Sequence, residues 1–420
     1  MSAPPVSVKR RRVFYIPGYD PIHPRRYREL YRKEGAAQAR ISGYELGLKP
    51  KQAGGRYGWH VTARIEDQPV EADIEVLVWS DIVRDSMGHS ITATYWQLLR
   101  TSWAYIGTGA LFRLMRLRKG PIIAALYPIF ALLLQALAGV LAGWAAAAAL
   151  LRLLPDFPAD NLLGLALGAA ILAATLIWFR NHDSRFYAYY LMHDYAFSAQ
   201  SLGAYPAALE TRMTAFGDAI ATALTEPWDE VLVVGHSSGA HLAISILADL
   251  IRQNRVPASF WPKYSGGVGA APPPVLGFLS LGHVVPMVSY LPRATRLRGD
   301  LHDLAARSEL TWVDVTAPGD GCAFALCDPV AVSGVAPKDK RWPLVISAAF
   351  TKTLSPERWQ ELRWRFFRLH FQYLCAFDRP ADYDYFQITA GPRTLADRYQ
   401  RRAPSKSRIE AAANKFTDRP

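Results

Sequence analysis

The G-x-S-x-G pattern at residues 235–239, which here is G-H-S-S-G, is the segment of this chain whose residue types could do chemistry. It follows an apolar, β-branched run at 231–234 and precedes a helical pattern at 240–247. A strand, a tight turn and a helix in this order predict a nucleophile elbow, in which the turn lifts a serine hydroxyl clear of the fold. Ser237 is then the nucleophile, and it needs a base to take its proton. The alternative is an ordinary strand–helix turn, because the bare pattern also arises by chance.

The elements around this turn alternate between strands and helices. Apolar runs bounded by turn residues predict strands, and the periodic stretches between them predict helices. This alternation is typical of an α/β fold with a mostly parallel sheet flanked by helices. The predicted strands are 13–16, 60–65, 74–79, 231–234, 275–282 and 311–316, and the predicted helices are 25–43, 90–118, 205–225, 240–247, 294–307 and 355–375.

The order of these elements resembles the α/β-hydrolase superfamily over most of residues 13–400. An early strand ends in a glycine turn at Gly18, a central strand carries the serine, a later strand precedes an acid, and a histidine comes last. The resemblance implies a serine hydrolase of the esterase or lipase kind, with nucleophile, acid and histidine in that chain order. One departure is an apolar insertion that precedes the nucleophile, whereas caps in this superfamily more often follow it.

Chain order then selects the remaining catalytic side chains. The chain has ten histidines, and only His370 lies beyond the acidic candidates, so the resemblance implies it as the general base. The alternative for His370 is a histidine of a helix surface or interface. Asp320 follows the last predicted strand in a tight turn, where it could hold the imidazole in one tautomer. Asp314 and Asp328 are the alternative acids, and His241 is expected to be structural.

The oxyanion donors and the cofactor requirement follow from the same comparison. The backbone N–H of Ser238, directly after the nucleophile, is one implied donor. The turn at Gly18 and Tyr19 resembles the oxyanion loop of the superfamily, and the N–H of Tyr19 is the second. No phosphate-binding glycine loop and no metal-ligand cluster is visible in the sequence, so we expect neither a cofactor nor a metal.

Two long uncharged segments interrupt the chain at residues 120–151 and 161–179. Each is long enough to cross a bilayer core of about 30 Å as a helix. A short connection that contains two prolines joins them, which predicts a transmembrane hairpin, and a buried helical hairpin is the alternative. The predicted organisation is therefore 1–119 and 183–400 as two parts of one hydrolase domain, 120–182 as the hairpin, and 401–420 as a basic flexible tail.

The distribution of charge predicts the orientation of this hairpin. Basic residues flank it on both outer sides, and the connection holds one arginine, Arg152, followed by two aspartates, Asp156 and Asp160. Positive flanks favour the cytoplasm, so the sequence predicts an integral membrane protein with a cytoplasmic catalytic domain, at the inner membrane if the cell is bacterial. The net charge of +12 favours anionic lipid, since no nucleic-acid motif accompanies it. The cysteines show no metal-ligand spacing, which favours free thiols in a reducing compartment; they are Cys322, Cys327 and Cys375.

These observations predict a membrane-anchored serine hydrolase that cleaves lipophilic acyl esters. An acyltransferase would use the same triad and would differ only in how it excludes water. A non-catalytic membrane scaffold or lipid-binding module on the same fold is the alternative outside enzymology. A small transporter has little support, because neither apolar segment carries an ionisable residue that could line a pathway.

Overall fold

An eight-stranded mixed sheet organises the protein. The computed structural model describes residues 7–51, 55–88, 90–153, 160–257 and 273–420. The strands are β1 (Arg10–Ile16), β2 (Glu45–Pro50), β3 (Gly58–Ile65), β4 (Gln68–Val76), β5 (Glu230–His236), β6 (Val275–Leu281), β7 (Leu310–Thr316) and β8 (Leu344–Ser347).

Eighteen α-helices surround this sheet within the described ranges. Up to the last strand but one they are α1 (Arg25–Ser42), α2 (Ser80–Ser86), α3 (Ile91–Ser102), α4 (Ala110–Leu114), α5 (Lys119–Leu153), α6 (Asp160–Asn181), α7 (Asp183–Phe186), α8 (Ala188–Ala199), α9 (Ala207–Ala223), α10 (Gly239–Arg252), α11 (Val285–Ser289) and α12 (Thr295–Ala306). The remaining helices are α13 (Pro329–Val332), α14 (Phe350–Thr353), α15 (Pro356–Leu362), α16 (Phe366–His370), α17 (Tyr385–Ala390) and α18 (Leu395–Tyr399).

The strand order is β2-β3-β4-β1-β5-β6-β7-β8. All pairings from β4 to β8 are parallel, whereas β3 pairs antiparallel with both β2 and β4. The predicted α/β class is confirmed, and the antiparallel edge makes the sheet mixed. The antiparallel pairing of β3 with β4 has a local cause. Glu66 and Asp67 join the two strands with φ angles of 52° and 60°, the left-handed geometry of a tight hairpin turn.

The sheet buries both of its faces at the centre. Every residue of β5 is buried, and one apolar cluster lies on each side of the sheet. A strand covered on both faces is apolar throughout instead of alternating. This explains why β5 is easy to recognise in the sequence, and it makes the carboxyl end of β5 a rigid mount for the turn that follows.

Two predicted helices are interrupted. The helix predicted at 90–118 is split into α3, a π-helical turn at Trp103–Gly107 and α4. Gly109, with φ of 70°, starts the new direction, which a residue with a side chain would adopt only with strain. The helix predicted at 355–375 is split into α15, α16 and a 3₁₀ turn at Gln372–Leu374. The helical prediction was wrong at these breaks.

Helices α5 and α6 form an antiparallel hairpin, and each is long and apolar enough to cross a membrane. Only 28% and 6% of their most apolar windows are buried, which argues against a hairpin inside a soluble core. A Cβ at Gly143 would collide with the backbone of Gly168, so small residues allow the helices to touch, as they do in membrane bundles. The predicted proline-containing connection lies outside the described residues.

The basic segment predicted as a flexible tail at 401–420 has almost no regular structure but crosses the domain in contact with it. The N–H of Ile409 donates to Leu326 at 2.7 Å, and the N–H of Asp328 donates to Ile409 at 2.9 Å. Near the end of the chain, Asp418 accepts from the buried guanidinium of Arg298 at 2.9 Å. These bonds attach the tail to the domain.

Candidate active site

The turn between β5 and α10 holds Ser237 in a strained conformation. Its φ angle is 57°, a left-handed value that costs a non-glycine residue free energy and that recurs at active sites as well as in turns. The N–H of Ser237 donates to the carbonyl of Leu281 at 2.9 Å, which anchors the turn to β6. The local geometry is that of a nucleophile elbow.

Glycines permit this turn to touch strand β1. A Cβ on Gly18 would lie 2.9 Å from Cβ of Ser237, and a Cβ on Gly239 would collide with the carbonyl of Ile16. Both distances are shorter than real carbon contacts allow, so only glycine fits at either position. The end of β1 is thereby brought against the serine.

His370 and Asp320 lie side by side although the chain separates them widely. Nδ1 of His370 is 2.8 Å from Oδ2 of Asp320, and both side chains are almost fully buried. The same carboxylate oxygen accepts from the hydroxyl of Tyr373 at 3.1 Å, and the other accepts from the N–H of Cys322 at 2.9 Å. Burial raises the pKa of Asp320. The charge and hydrogen bond of His370, together with the hydrogen bonds from Cys322 and Tyr373, outweigh burial and lower that pKa overall.

This arrangement can hold one imidazole tautomer. With Nδ1 turned toward the carboxylate, Nε2 is the nitrogen left for proton transfer. His370 and Ser237 line the same cavity, and no hydrogen bond joins their side chains in the structure described here. Such bonds are often long before a substrate is bound. The structure therefore brings Ser237 and His370 to one cavity, and Asp320 is bonded to His370 without lining that cavity itself.

The two alternative acids have other partners. Asp314 lies within β7 and accepts from the hydroxyl of Ser280 at 2.5 Å. Asp328 caps α13, accepting from the N–H groups of Val330 and Ala331 at 3.0 Å each, and it pairs with Lys340. Neither carboxylate is in contact with His370 in the described structure, which leaves Asp320 as its partner.

Two further histidines near the site, His241 and His236, occupy structural positions. His241 is stacked on Tyr205 and shares a 3.0 Å hydrogen bond with its hydroxyl, as expected for a structural residue. His236 is packed against the His370 ring, and its Nε2 is 3.0 Å from the His370 carbonyl. Burial lowers the pKa of each of these imidazoles to about 3, with the charge of His370 adding to the effect at His236. They are neutral at physiological pH and are not available as charged groups.

The predicted oxyanion loop is held from both sides through its carbonyl groups. Nε1 of Trp79 donates to Pro17 at 3.0 Å, and the hydroxyl of Tyr190 donates to Tyr19 at 2.5 Å. The N–H groups of Tyr19 and Ser238 donate to no other described residue. Two backbone donors beside the serine are what an oxyanion requires. Gly18 is not one of these two donors; its lack of a side chain lets the loop lie close to Ser237.

A cavity of about 560 Å³ surrounds these groups. Pro121, in the first turn of α5, lines it, and so does Asp194 of α8. Asp194 and Tyr190 were not among the sequence predictions, since α8 has no motif that marks them. The structure places both beside the site because α8 packs between α5 and the domain.

A set of donor atoms at the edge of the cavity could hold a metal ion. One ligand atom each from Asp320, Cys322 and His370 lies within 4.8 Å of the others. Burial raises the pKa of the Cys322 thiol well above its ordinary value, whereas a metal ligand must be the thiolate. The arrangement fits a hydrogen-bonded histidine–aspartate pair better than a metal centre.

Comparisons with protein-family models, with curated proteins and with solved structures returned no match to this chain.

Proposed function

We propose that this chain is a serine hydrolase of the α/β-hydrolase type that cleaves an acyl ester through a Ser237–His370–Asp320 triad. The observation that carries the proposal is the 2.8 Å contact between Asp320 and His370, a histidine that lines the same cavity as Ser237. The strained φ of 57° at Ser237 supports it. A histidine oriented by a carboxylate and a serine on a sharp turn make up the machinery of acyl transfer.

In the proposed reaction Ser237 Oγ attacks the ester carbonyl while Nε2 of His370 takes the hydroxyl proton. The N–H groups of Ser238 and Tyr19 stabilise the tetrahedral oxyanion, each contributing about 3–4 kcal/mol. The ester C–O bond breaks, and His370 returns the proton to the leaving alkoxide. Water then attacks the acyl carbonyl while His370 takes one of its protons. The bond from the acyl carbon to Ser237 Oγ breaks, His370 returns the proton to Oγ, and the carboxylic acid leaves. Asp320 stays ionised throughout and stabilises the imidazolium.

Reaction with a fluorophosphonate probe tests this proposal directly. We expect the full chain to be labelled on Ser237 and to hydrolyse p-nitrophenyl esters, and Ser237→Ala to lose both. Ser238→Ala is the matched control, because it removes the neighbouring hydroxyl and keeps the backbone N–H. Full activity in Ser237→Ala would refute the proposal, and an unlabelled but folded wild-type chain would favour the non-catalytic scaffold.

Acyl transfer to an alcohol remains the alternative within this mechanism. It needs the same triad and oxyanion donors, with an alcohol in place of water in the second step. A product analysis with added alcohol separates the two: a hydrolase gives mainly carboxylic acid, whereas an acyltransferase gives mainly the new ester.

We further propose that α5 and α6 cross a bilayer and that the catalytic domain lies on the cytoplasmic side. The exposed apolar surface of the two helices supports this. A second support is a stripe of large apolar side chains along α3 and the π-helical turn, all at least 47% exposed. They recur at helical spacing and face away from the domain, as they do in helices that lie in a membrane interface; they are Trp96, Leu99, Trp103 and Ile106.

Cysteine accessibility tests the orientation. In a background that lacks the three native cysteines, a cysteine at Asp156, in the connection, should react with a membrane-impermeant maleimide in intact cells. A cysteine at Ser201, in the domain, should react only after lysis. The reverse pattern, or equal labelling of both, would contradict this topology.

The position of the cavity supports a lipophilic substrate. Since Pro121 lines the cavity in the first turn of α5, the candidate site lies at the base of the hairpin. We expect a preference for acyl esters that partition into membranes, measured with p-nitrophenyl esters of graded chain length in liposomes. A clear preference for short, water-soluble esters would count against it.

A further inference from the structure

Asp194 is a carboxyl group in the cavity that the proposed reaction does not use. It lies on α8 and lines the cavity together with Ser237 and His370. No described residue forms a hydrogen bond or an ion pair with it. By contrast Asp20, which lines the same cavity, pairs with Arg26 at 3.0 Å. Asp194 is partly buried, and a carboxylate that is partly withdrawn from bulk water loses free energy of hydration unless it has a partner. A ligand is therefore the natural partner for Asp194.

Tyrosines form the walls around this carboxyl group. Four tyrosines that line the cavity feel its charge: Tyr19, Tyr105, Tyr190 and Tyr195. Three of their hydroxyls are engaged elsewhere. That of Tyr105 donates to Met287 at 2.9 Å, that of Tyr190 donates to the carbonyl of Tyr19, and that of Tyr19 is bonded to Ser86 at 2.7 Å. These three hydroxyls therefore do not supply hydrogen bonds to Asp194.

The basic side chains of the cavity do not neutralise Asp194 either. Arg26 is paired with Asp20, and Arg358 and Arg368 are paired with Glu361 at 2.8 and 3.2 Å. The fourth, Lys33, is exposed. Burial raises the pKa of Asp194 to about 7, and His370 is the one charged group that lowers it. The carboxylate thus lacks a cation of its own from the protein.

We infer that Asp194 and the tyrosines around it bind an organic ammonium group of the substrate, an inference that rests on the proposed hydrolase function. A carboxylate within aromatic walls supplies both the opposite charge and the electron-rich ring faces that hold alkylated ammonium ions. A primary ammonium would need several hydrogen-bond acceptors, whereas a methylated one needs mainly charge and aromatic surface. The inferred substrate class is an acyl ester that bears a quaternary or methylated ammonium.

Binding of choline and of 3,3-dimethylbutan-1-ol, its uncharged isostere, tests the inference on the full chain in detergent by isothermal titration calorimetry. We expect choline to bind about tenfold more tightly than the isostere. Asp194→Asn should remove this difference, and the exposed Asp85→Asn, which makes the same change in net charge, should keep it. Choline affinity should rise as pH rises through about 7, because Asp194 ionises there.

A second variant covers the case in which Asp194→Asn is poorly folded. Tyr195→Leu removes an aromatic wall without changing the charge, and it should weaken choline binding several-fold while the isostere is affected little. Equal binding of choline and isostere by the wild type would overturn the inference, as would an unchanged preference in a folded Asp194→Asn. Failure of the hydrolase proposal is distinguishable, since it shows as absent fluorophosphonate labelling of Ser237 whatever the choline result.

Discussion

The protein contains two histidine–aspartate pairs built from the same residue types. His370 and Asp320 are 2.8 Å apart beside the cavity, and His283 and Asp314 are 3.6 Å apart within the core. Both aspartates belong to β7 or to the turn that follows it. The pairs differ in access, because His370 lines the cavity whereas His283 and Asp314 have no solvent exposure.

The two pairs differ in hydrogen bonding and therefore in the charge state that each favours. The Asp320 carboxylate receives bonds from three groups and has a lowered pKa, so it is ionised at neutral pH. Burial raises the pKa of Asp314 well above its ordinary value and lowers the pKa of His283 to about 4. Burial therefore favours the neutral form of both members of the core pair. A charged acid beside a base with an open side is suited to catalysis, whereas a neutral, enclosed pair serves the fold.

Replacing each histidine in turn is the strongest test of the difference between the two pairs. We expect His370→Ala to reduce kcat for ester hydrolysis by about 10⁶-fold, as loss of a triad base does. His283→Ala should keep kcat within a few-fold per correctly folded molecule. The measurement is kcat normalised to fluorophosphonate-titrated sites for His283→Ala, with thermal unfolding to confirm that both variants fold.

Replacing the aspartates should again reduce kcat only for the pair beside the cavity, and by less than replacing its histidine. Asp320→Asn leaves the shape intact but favours the wrong imidazole tautomer, so kcat should fall by about 10⁴-fold. Asp314→Asn should leave kcat close to that of the wild type. A wild-type rate in Asp320→Asn together with a large loss in Asp314→Asn would assign the catalytic acid to Asp314.

The pH dependence of stability should have opposite signs for the two acids. Asp320, with a lowered pKa, stabilises the fold above its unfolded-state pKa of about 4, and this contribution is lost as pH falls through its folded-state pKa. Asp314, with a raised pKa, stabilises the fold at low pH, and this contribution is lost as pH rises.

Thermal unfolding of both asparagine variants between about pH 2 and pH 8 measures this difference, because the contribution of Asp320 changes below about pH 4 and that of Asp314 changes above it. Relative to wild type, Asp320→Asn should become less stable as pH rises, and Asp314→Asn should become more stable. Parallel changes in the two variants would contradict the assignment of a charged pair and a neutral pair.

We expect the smallest effect from removing the hydrogen bond that holds the predicted oxyanion loop beside His370 and Asp320. Tyr190→Phe removes the hydrogen bond to the carbonyl of Tyr19, which is worth about 1 kcal/mol. We expect kcat/KM to fall by about fivefold. Tyr187→Phe is the control, since Tyr187 lines the same cavity and its hydroxyl bonds to no described residue; an equal loss in both variants would mean that the loop does not depend on this bond.

The parts of the site that could be predicted from sequence are those with a local signal. The elbow was recognisable because β5, the turn and α10 are contiguous, and His370 was selected by chain order alone. Strands β2 and β8 were missed because they are short and lie at the edges of the sheet, where β2 is mostly exposed. Asp194 and Tyr190 could not be found, because only the packing of α8 brings them to the cavity.

The segment around His370 shows how tertiary contacts override a helix that the sequence pattern predicts. Phe367 packs against Tyr187 and Tyr190, whereas Tyr373 packs against Phe350 and bonds to Asp320. Phe367 therefore contacts α8 and the residue before it, whereas Tyr373 contacts α14 and the turn that follows β7. The two breaks in the predicted helix allow His370 to meet Asp320.

The position of β1 has a consequence for how the protein is made. β1 lies between β4, which soon follows it, and β5, so Arg12 pairs with Val231 across the whole apolar hairpin. During synthesis the N-terminal half leaves the ribosome with one edge of β1 unpaired until residue 231 has emerged. On the proposed topology, a nascent chain that inserted only one of its two spans would leave β1 and β5 on opposite sides of the bilayer. The reactivity of Ser237 would then measure correct membrane insertion, since only chains with both spans inserted could pair β1 with β5 and assemble the candidate active site.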